Sequence, residues 1–173
     1  MRPQGRKLTI LLFHDIILRL NFMYEVNVMT DIQKIAALFK KVDGLNDGTD
    51  GRAVDVAVAM KLADMIKKDA EVIAAVSGDA VKNAEGSFDM QLMIAPYEGN
   101  YFFMVSPDMD IAAAMDTGCT MCRLEELLSL VRKTPQMRGI QLILSVDPET
   151  HKFTTGQINR DMIALALDTA PKI

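Results

Sequence analysis

The sequence contains few of the residues that redox centres and metal sites require. Its 173 residues include two cysteines, two histidines and no tryptophan. Two cysteines cannot build a disulfide framework, which favours a reducing, cytoplasmic location. Zinc needs four ligands, whereas a single C-x-x-C pair supplies two. A glycine-rich phosphate loop and a G-x-S-x-G elbow are also absent from the sequence. We therefore predict no metal and no cofactor.

The sequence also lacks an excess of basic residues. It has 19 Lys and Arg against 23 Asp and Glu, which gives a net charge of −4. Phosphate recognition requires a clustered basic surface, so nucleic acid is not a predicted partner. The basic pairs Lys40-Lys41, Lys67-Lys68 and Arg132-Lys133 each follow a predicted helix, where they complement the helix dipole.

The first 28 residues differ in character from the rest. Their apolar run is interrupted by His14 and Asp15, has no cleavage site, and is too short to span a bilayer, which takes about 20 apolar residues. An amphipathic surface helix is one interpretation. We favour another, because Glu25-Val26 can be encoded by a purine-rich, ribosome-binding-like string and a capping box follows Met29. Residues 1–28 are then translated leader, and 29–173 form a single domain without a membrane partner.

This interpretation predicts that the protein expressed from its native gene begins at Met29. Intact-mass measurement of that protein should give the mass of residues 29–173. A product that retains residues 8–28 would contradict the prediction.

Hydrophobic periodicity predicts helices at both ends of the domain and strands between them. Helices are predicted at 31–42, 53–67, 110–116, 124–134 and 157–167, strands at 88–95, 101–105 and 139–146, and 70–78 is either a strand or a continued helix. Glu98-Gly99-Asn100 supplies a hairpin turn. The predicted fold class is α+β, with a mainly antiparallel sheet, a central hairpin and several packed helices.

The alternation of residues in the predicted hairpin indicates a binding surface. With a two- or four-residue connection, residues of opposite parity pair, and the core face would then carry Phe88, Met90, Leu92, Ile94, Tyr101, Phe103 and Val105. The other face would carry Met93, Phe102, Met104 and, from the later strand, Ile143. An antiparallel sheet that faces water should be polar there. We predict that these four residues bind a protein partner, a second copy of the chain or a small ligand, unless a helix covers them.

The C-x-x-C pair Cys119 and Cys122 suggests an alternative function. In a thiol–disulfide oxidoreductase the attacking cysteine lies at a helix N-terminus, where the dipole lowers its pKa. Both residues fall at the predicted start of a helix. However, redox motifs follow a strand of a βαβ unit, whereas the preceding segment 111–118 predicts a short helix and a glycine stop. Incidental cysteines are the preferred interpretation, and a redox pair is the alternative.

A hydrolytic triad can also be drawn from Ser106, Asp147 and His151. Ser106 ends a predicted strand, and the other two residues lie in a later turn. No spacing makes this arrangement specific, and a solvated turn explains His151.

Several segments, in this order, resemble the N-terminal domain of the SseB (enhanced serine sensitivity) family. The segment 98–101 (EGNY) matches its hairpin turn, 105–107 (VSP) replaces its Phe-Thr-Ser-like strand end, and 146–148 (VDP) matches its later turn with aspartate in place of asparagine. The resemblance extends from Ile32 to Leu167. It implies a soluble bacterial protein with a binding or accessory role and provides no catalytic residues. We therefore predict a non-catalytic binding or protein-interaction module.

Overall fold

A computed structural model describes residues 29–44, 51–82, 84–85 and 88–170. The chain divides into two compact units, Met1–Thr30 and Asp31–Ile173, and the described helices and strands belong to the second unit. The predictions for residues 1–28 lie outside the described residues. Within the described ranges, no helix combines the length and the apolar character needed to cross a bilayer.

The described residues form five helices and one seven-stranded sheet, which confirms the predicted α+β class. The helices are α1 (Asp31–Gly44), α2 (Gly51–Lys67), α3 (Met109–Ala114), α4 (Leu124–Lys133) and α5 (Arg160–Thr169). The strands are β1 (Glu71–Lys82), β2 (Phe88–Leu92), β3 (Ile94–Tyr97), β4 (Asn100–Ser106), β5 (Gly118–Arg123), β6 (Met137–Val146) and β7 (Phe153–Asn159). The order is β2-β1-β4-β6-β7, with β3 on β4 and β5 on β1. Only the β4–β6 pair is parallel.

One side of the sheet, the helix face, packs against α1, α2, α4 and α5. Alternate strand residues such as Val72, Phe103, Val105 and Leu142 enter this core with the apolar stripes of the four helices. The stripe of α4 is Leu124, Leu127, Leu128 and Val131, all buried. Full burial of each such side chain contributes about 1.5 to 3 kcal/mol. This core is the main source of cohesion in the domain.

The opposite side of the sheet, the α3 face, holds a smaller apolar cluster. Ala75, Met104 and Ile143 come from β1, β4 and β6, and Met115 at the end of α3 packs on them. Since side chains alternate along a strand, Met104 and Phe103 enter different clusters. The sheet is therefore apolar on both sides.

The predicted hairpin is correct in register but not in extent. β3 pairs with β4 across a two-residue turn, with Ile94 opposite Phe103, as the parity argument predicts. Residues 88–92 were predicted to continue β3, but they form β2 and pair with β1. β1 and β4 are antiparallel to each other, so the chain changes direction at Met93, whose N–H donates to the Ala75 carbonyl at 2.8 Å.

The hairpin turn has positive φ at both of its residues, which Gly99 adopts readily and Glu98 does not. Glu98 and Gly99 have φ values of 49° and 77°. A two-residue hairpin loop of type I′ requires positive φ at both positions, since its twist then matches that of the strands. This turn therefore fixes the position at which the β3–β4 hairpin ends.

Two strands were not predicted. Residues 118–123 were predicted to end a loop and begin a helix, but they form β5 and pair with β1. Residues 157–159 were predicted to begin the last helix, but they end β7. α5 starts at Arg160, after Asn159 accepts hydrogen bonds from the N–H groups of Asp161 and Met162. The ambiguous segment 70–78 is a strand, since β1 covers Glu71–Lys82.

Arg160 connects the start of α5 to the end of α4. Its Nη1 donates to the carbonyl oxygens of Val131, Thr134 and Met137 at 2.9, 3.0 and 2.7 Å. Its Nη2 donates to the carbonyl of Arg132 at 2.9 Å. The last carbonyls of a helix lack partners within the helix, and this guanidinium donates to those of Val131 and Arg132, to the Thr134 carbonyl that follows and to the Met137 carbonyl of β6.

We expect Arg160→Met to lower the free energy of unfolding by about 2 to 4 kcal/mol, because four carbonyls lose a charged donor. Arg160→Lys should lose less, since an ammonium can still donate to some of them. Urea denaturation measures the change. The control is Arg132→Gln, which removes only an exposed 3.1 Å ion pair with Asp168, at about 1 kcal/mol or less. Equal losses for Arg160→Met and the control would contradict the role of Arg160.

Candidate interaction surface

The four residues predicted to form an apolar surface lie together on the α3 face. Met93, Met104 and Ile143 share one cluster, and Phe102 lies on the same face as Met104 by alternation. They are not accessible, however. Phe102, Met104 and Ile143 are 5%, 4% and 0% exposed, and Met93 is half-buried.

The short helix α3 covers the centre of this face. Its N-cap is Asp108, as predicted, and the Oδ1 atom accepts a hydrogen bond from Ile111 N at 2.9 Å. Ile111 and Met115 then pack on the cluster. The alternative that a helix covers this face therefore agrees with the structure at Met104 and Ile143. The predicted binding surface does not, because Phe102, Met104 and Ile143 are buried and Met93 is half-buried.

We expect Met104→Glu to lower the free energy of unfolding by more than about 3 kcal/mol, because it buries an unpaired carboxylate. The matched control is Tyr101→Glu in the same strand, at a side chain that is 46% exposed, with a change of about 1 kcal/mol or less. Thermal unfolding followed by circular dichroism measures both. A Met104→Glu protein as stable as the control would contradict burial of this face.

The two cysteines lie in strand β5, not at the start of a helix. Cys119 is opposite Ala75, and Cys122 is opposite Val72 and packs on the core of the helix face. Residues three apart in a strand point to opposite faces. At about 3.3 Å per residue their Cα atoms are about 10 Å apart, whereas a disulfide allows about 7 Å. The strand would have to break before the two sulfurs could bond.

The surroundings of both thiols disfavour the reactive thiolate. Burial raises the pKa of Cys119. Burial, together with the nearby carboxylates of Glu126 and Glu71, raises the pKa of Cys122 to about 11. A redox cysteine needs a lowered pKa. The geometry and the electrostatics both disagree with the alternative function.

At pH 8 we expect both native thiols to react with Ellman's reagent at least tenfold more slowly than in urea. A raised pKa leaves less thiolate below that pKa, so the rate should increase mainly above pH 9. The Cys119→Ser and Cys122→Ser variants separate the two contributions. Rapid reaction of either native thiol at pH 7, or a mass loss of two hydrogens under mild oxidant, would restore the redox interpretation.

The three residues of the drawn triad have separate structural roles. The buried Ser106 Oγ donates to the Asp108 carbonyl at 2.7 Å. Asp147 Oδ1 accepts two backbone N–H groups of the turn after β6, both at 2.8 Å, and these bonds lower the Asp147 pKa. His151 is exposed in the same turn, with a φ of 54°. Among the described residues, no group of three or more His, Cys, Asp or Glu side chains is placed to hold a metal.

Three exposed apolar side chains lie on the β3–β4 hairpin. Ile94, Tyr97 and Tyr101 are 50%, 47% and 46% exposed. By strand alternation Ile94 and Tyr101 lie on one side of the hairpin and Tyr97 on the other, and we call the three residues together the hairpin surface, which covers both sides of the tip. Ile94 lies opposite the buried Phe103, so apolar residues continue from the core onto the arm. The sequence contained one sign of this surface, because a tyrosine on each side of a two-residue turn must lie near the tip of an arm.

Pro96 determines how the outer edge of β3 can be used. In a two-residue hairpin the residues next to the turn, Tyr97 and Asn100, form a hydrogen-bonded pair, and such pairs alternate along the ladder. The backbone of Pro96 therefore faces outward, where proline has no N–H to donate. A proline on an edge prevents addition of another strand. Contact at this arm must therefore use side chains.

A bulge in β6 lies beside the hairpin. Tyr101 is opposite Met137 and Phe102 is opposite Gly139, which leaves Arg138 as the extra residue. Gly139 has a φ of 155°, and a Cβ there would be 2.0 Å from the Ile158 carbonyl oxygen. Bulges redirect side chains.

The redirected Arg138 side chain contacts the hairpin. Its Nε donates to Asn100 Oδ1 at 3.2 Å, and Asn100 Nδ2 donates to the Glu98 carbonyl at 3.4 Å. Asn100 is also directly opposite Tyr97. An exposed guanidinium and an exposed aromatic ring are therefore neighbours at the tip of the arm.

Comparison with known proteins gives no relative for this chain. No protein-family model, no curated protein and no solved structure matches it significantly. The chemistry of the surface must therefore be inferred from its own residues.

Proposed function

We propose that this domain is a non-catalytic protein-interaction module of SseB-like type, which acts in the bacterial cytoplasm and binds a partner protein through the hairpin surface. The observation that carries the proposal is the exposure of Ile94, Tyr97 and Tyr101 on one arm. Monomers expose single apolar residues routinely, but three large ones around the tip of one hairpin make a larger apolar area, and such areas are typical of interaction sites.

The composition and support of the arm suit a binding role. Tyrosine is enriched at interfaces because it combines a large apolar area with a hydroxyl and few rotatable bonds. The arm is held by β4, which pairs with β3 on one edge and with β6 on the other. Little conformational freedom is then lost on binding, which favours affinity.

Four candidate catalytic groups named above, Ser106, Asp147, Cys119 and Cys122, are placed unfavourably for chemistry. Ser106 and Asp147 participate in backbone-stabilising hydrogen bonds, and the thiols of Cys119 and Cys122 lie on opposite faces of β5. A nucleophile needs an adjacent base that takes its proton. These arrangements support binding as the function.

The partner can be identified by photo-crosslinking in cells of the source organism. A photoreactive amino acid at position 101 should capture a partner that the same group at position 165 does not capture. Leu165 is a suitable control because it is 42% exposed, on α5. The partner is then purified, since capture alone would not show specificity.

With the purified partner, we expect Tyr97→Ser and Tyr101→Ser to weaken binding at least tenfold in calorimetry, because each removes a large aromatic contact. Leu130→Ser and Leu165→Ser, at comparably exposed helix positions, should change affinity less than twofold. Equal affinity of the hairpin variants and wild type would refute the hairpin as the binding site.

A further inference from the structure

We infer that the hairpin surface recognises an acidic peptide segment of its partner, in which a carboxylate lies beside an apolar side chain, and that Arg138 binds the carboxylate. The inference rests on the proposed function and specifies the chemistry of the partner. Three features of the structure carry it: the free charge of Arg138, the elements that orient it, and its position next to Tyr97.

Arg138 differs from Arg123 and Arg132, two other exposed arginines. Arg123 forms ion pairs with Asp69 and Glu126, and Arg132 pairs with Asp168. Arg138 is exposed, and within the described part of the chain its one hydrogen bond is to the neutral Asn100. Its positive charge therefore has no carboxylate in contact there.

The fold holds this guanidinium in a fixed place. The β6 bulge directs Arg138 away from the ladder, and Gly139 makes the bulge possible because a side chain would clash with the Ile158 carbonyl. Asn100 then accepts from Nε and is itself held by the Glu98 carbonyl. The two terminal nitrogens remain for a ligand, and such a fork donates two parallel hydrogen bonds to a carboxylate.

Tyr97 supplies the apolar half of the site. It is directly opposite Asn100 in the ladder, and such cross-strand neighbours have Cβ atoms about 5 Å apart. A ligand carboxylate on Arg138 would therefore place a neighbouring ligand side chain near the ring of Tyr97. A leucine, methionine or aromatic residue next to an Asp or Glu fits this spacing.

The charge of the whole chain favours a short peptide over a polyanion. Its net charge is −4, and a nucleic acid or an anionic membrane would require many basic contacts. A single oriented arginine instead suits one carboxylate. The nearest acid in the hairpin, Glu98, offers its backbone carbonyl to Asn100, and no ion pair joins its carboxylate to Arg138 in the described structure.

The probe is a phage-displayed library of random twelve-residue peptides, selected against the full-length chain. We expect enriched peptides to share an Asp or Glu adjacent to a Leu, Met, Phe or Tyr. One enriched peptide is then synthesised with a fluorescent label, together with a version in which Asn or Gln replaces the acid. Anisotropy measures the affinity of both for wild type, Arg138→Gln and Arg132→Gln.

The inference predicts that the effect of replacing the peptide acid by its amide depends strongly on whether Arg138 is present. The amide peptide should bind wild type and Arg132→Gln at least tenfold more weakly than the acidic peptide, whereas Arg138→Gln should bind both peptides within twofold of each other. Circular dichroism confirms that each variant is folded. If the amide peptide binds Arg138→Gln as much more weakly than the acidic peptide as it does wild type, the inference is overturned. Enrichment of neutral or basic peptides would also overturn it.

Three further outcomes separate this inference from the proposed function. If Tyr97→Ser weakens peptide binding but the dependence on Arg138 is absent, the hairpin surface stands and the carboxylate chemistry is refuted. If Tyr97→Ser and Tyr101→Ser both bind the peptide like wild type, both proposals are refuted. If light scattering shows a dimer that Tyr97→Ser and Arg138→Gln dissociate, the occupant is a second copy of the chain, and the partner-peptide inference is refuted.

Discussion

Two strands, β1 and β3, pair with the same edge of β4. Each position on that edge can pair with only one of them. The last residues of β4 pair with β1 through Ile73–Ser106 and Ala74–Val105, while its first residues pair with β3. Because β1 occupies one end, the β3–β4 hairpin is displaced toward the other. The chain changes direction at Met93, and the arm extends to where Ile94, Tyr97 and Tyr101 remain exposed.

β6 connects this constraint to the proposed binding chemistry. Its residues Leu142 and Ile143 are both buried, on opposite faces, so the strand is fixed between two apolar clusters. A strand fixed in this way can hold a bulge in place, since slippage by one residue would move every side chain to the wrong face. The bulged Arg138 therefore keeps its position beside Asn100, 38 residues away in the sequence.

Elements whose formation depends on local sequence patterns were predicted better than elements that depend on pairing with other parts of the chain. Helices α1 and α4 have clear apolar periodicity and α2 is apolar around most of its circumference, and each was predicted to within a few residues. β5 and β7 were missed because they lie at the outer positions of the sheet and mix Cys, Thr, Gly and Gln without clear alternation. The error at β5 also produced the mistaken placement of Cys119 and Cys122 at a helix start. An outer strand gains stability mainly from the neighbour it joins, and for β5 that neighbour, β1, is distant in the sequence.

The sequence alone determined the fold class, the amphipathic helices, the Glu98-Gly99 turn and the register of β3 on β4. Each of these depends on periodicity or on φ preferences within a few residues. Only the tertiary structure decided that β2 pairs with β1, that α3 covers Met104 and Ile143, and that Arg138 reaches Asn100. These outcomes result from competition among strands and helices for the same edges and faces. A local pattern can show that a face is apolar, but it cannot show which distant element covers that face.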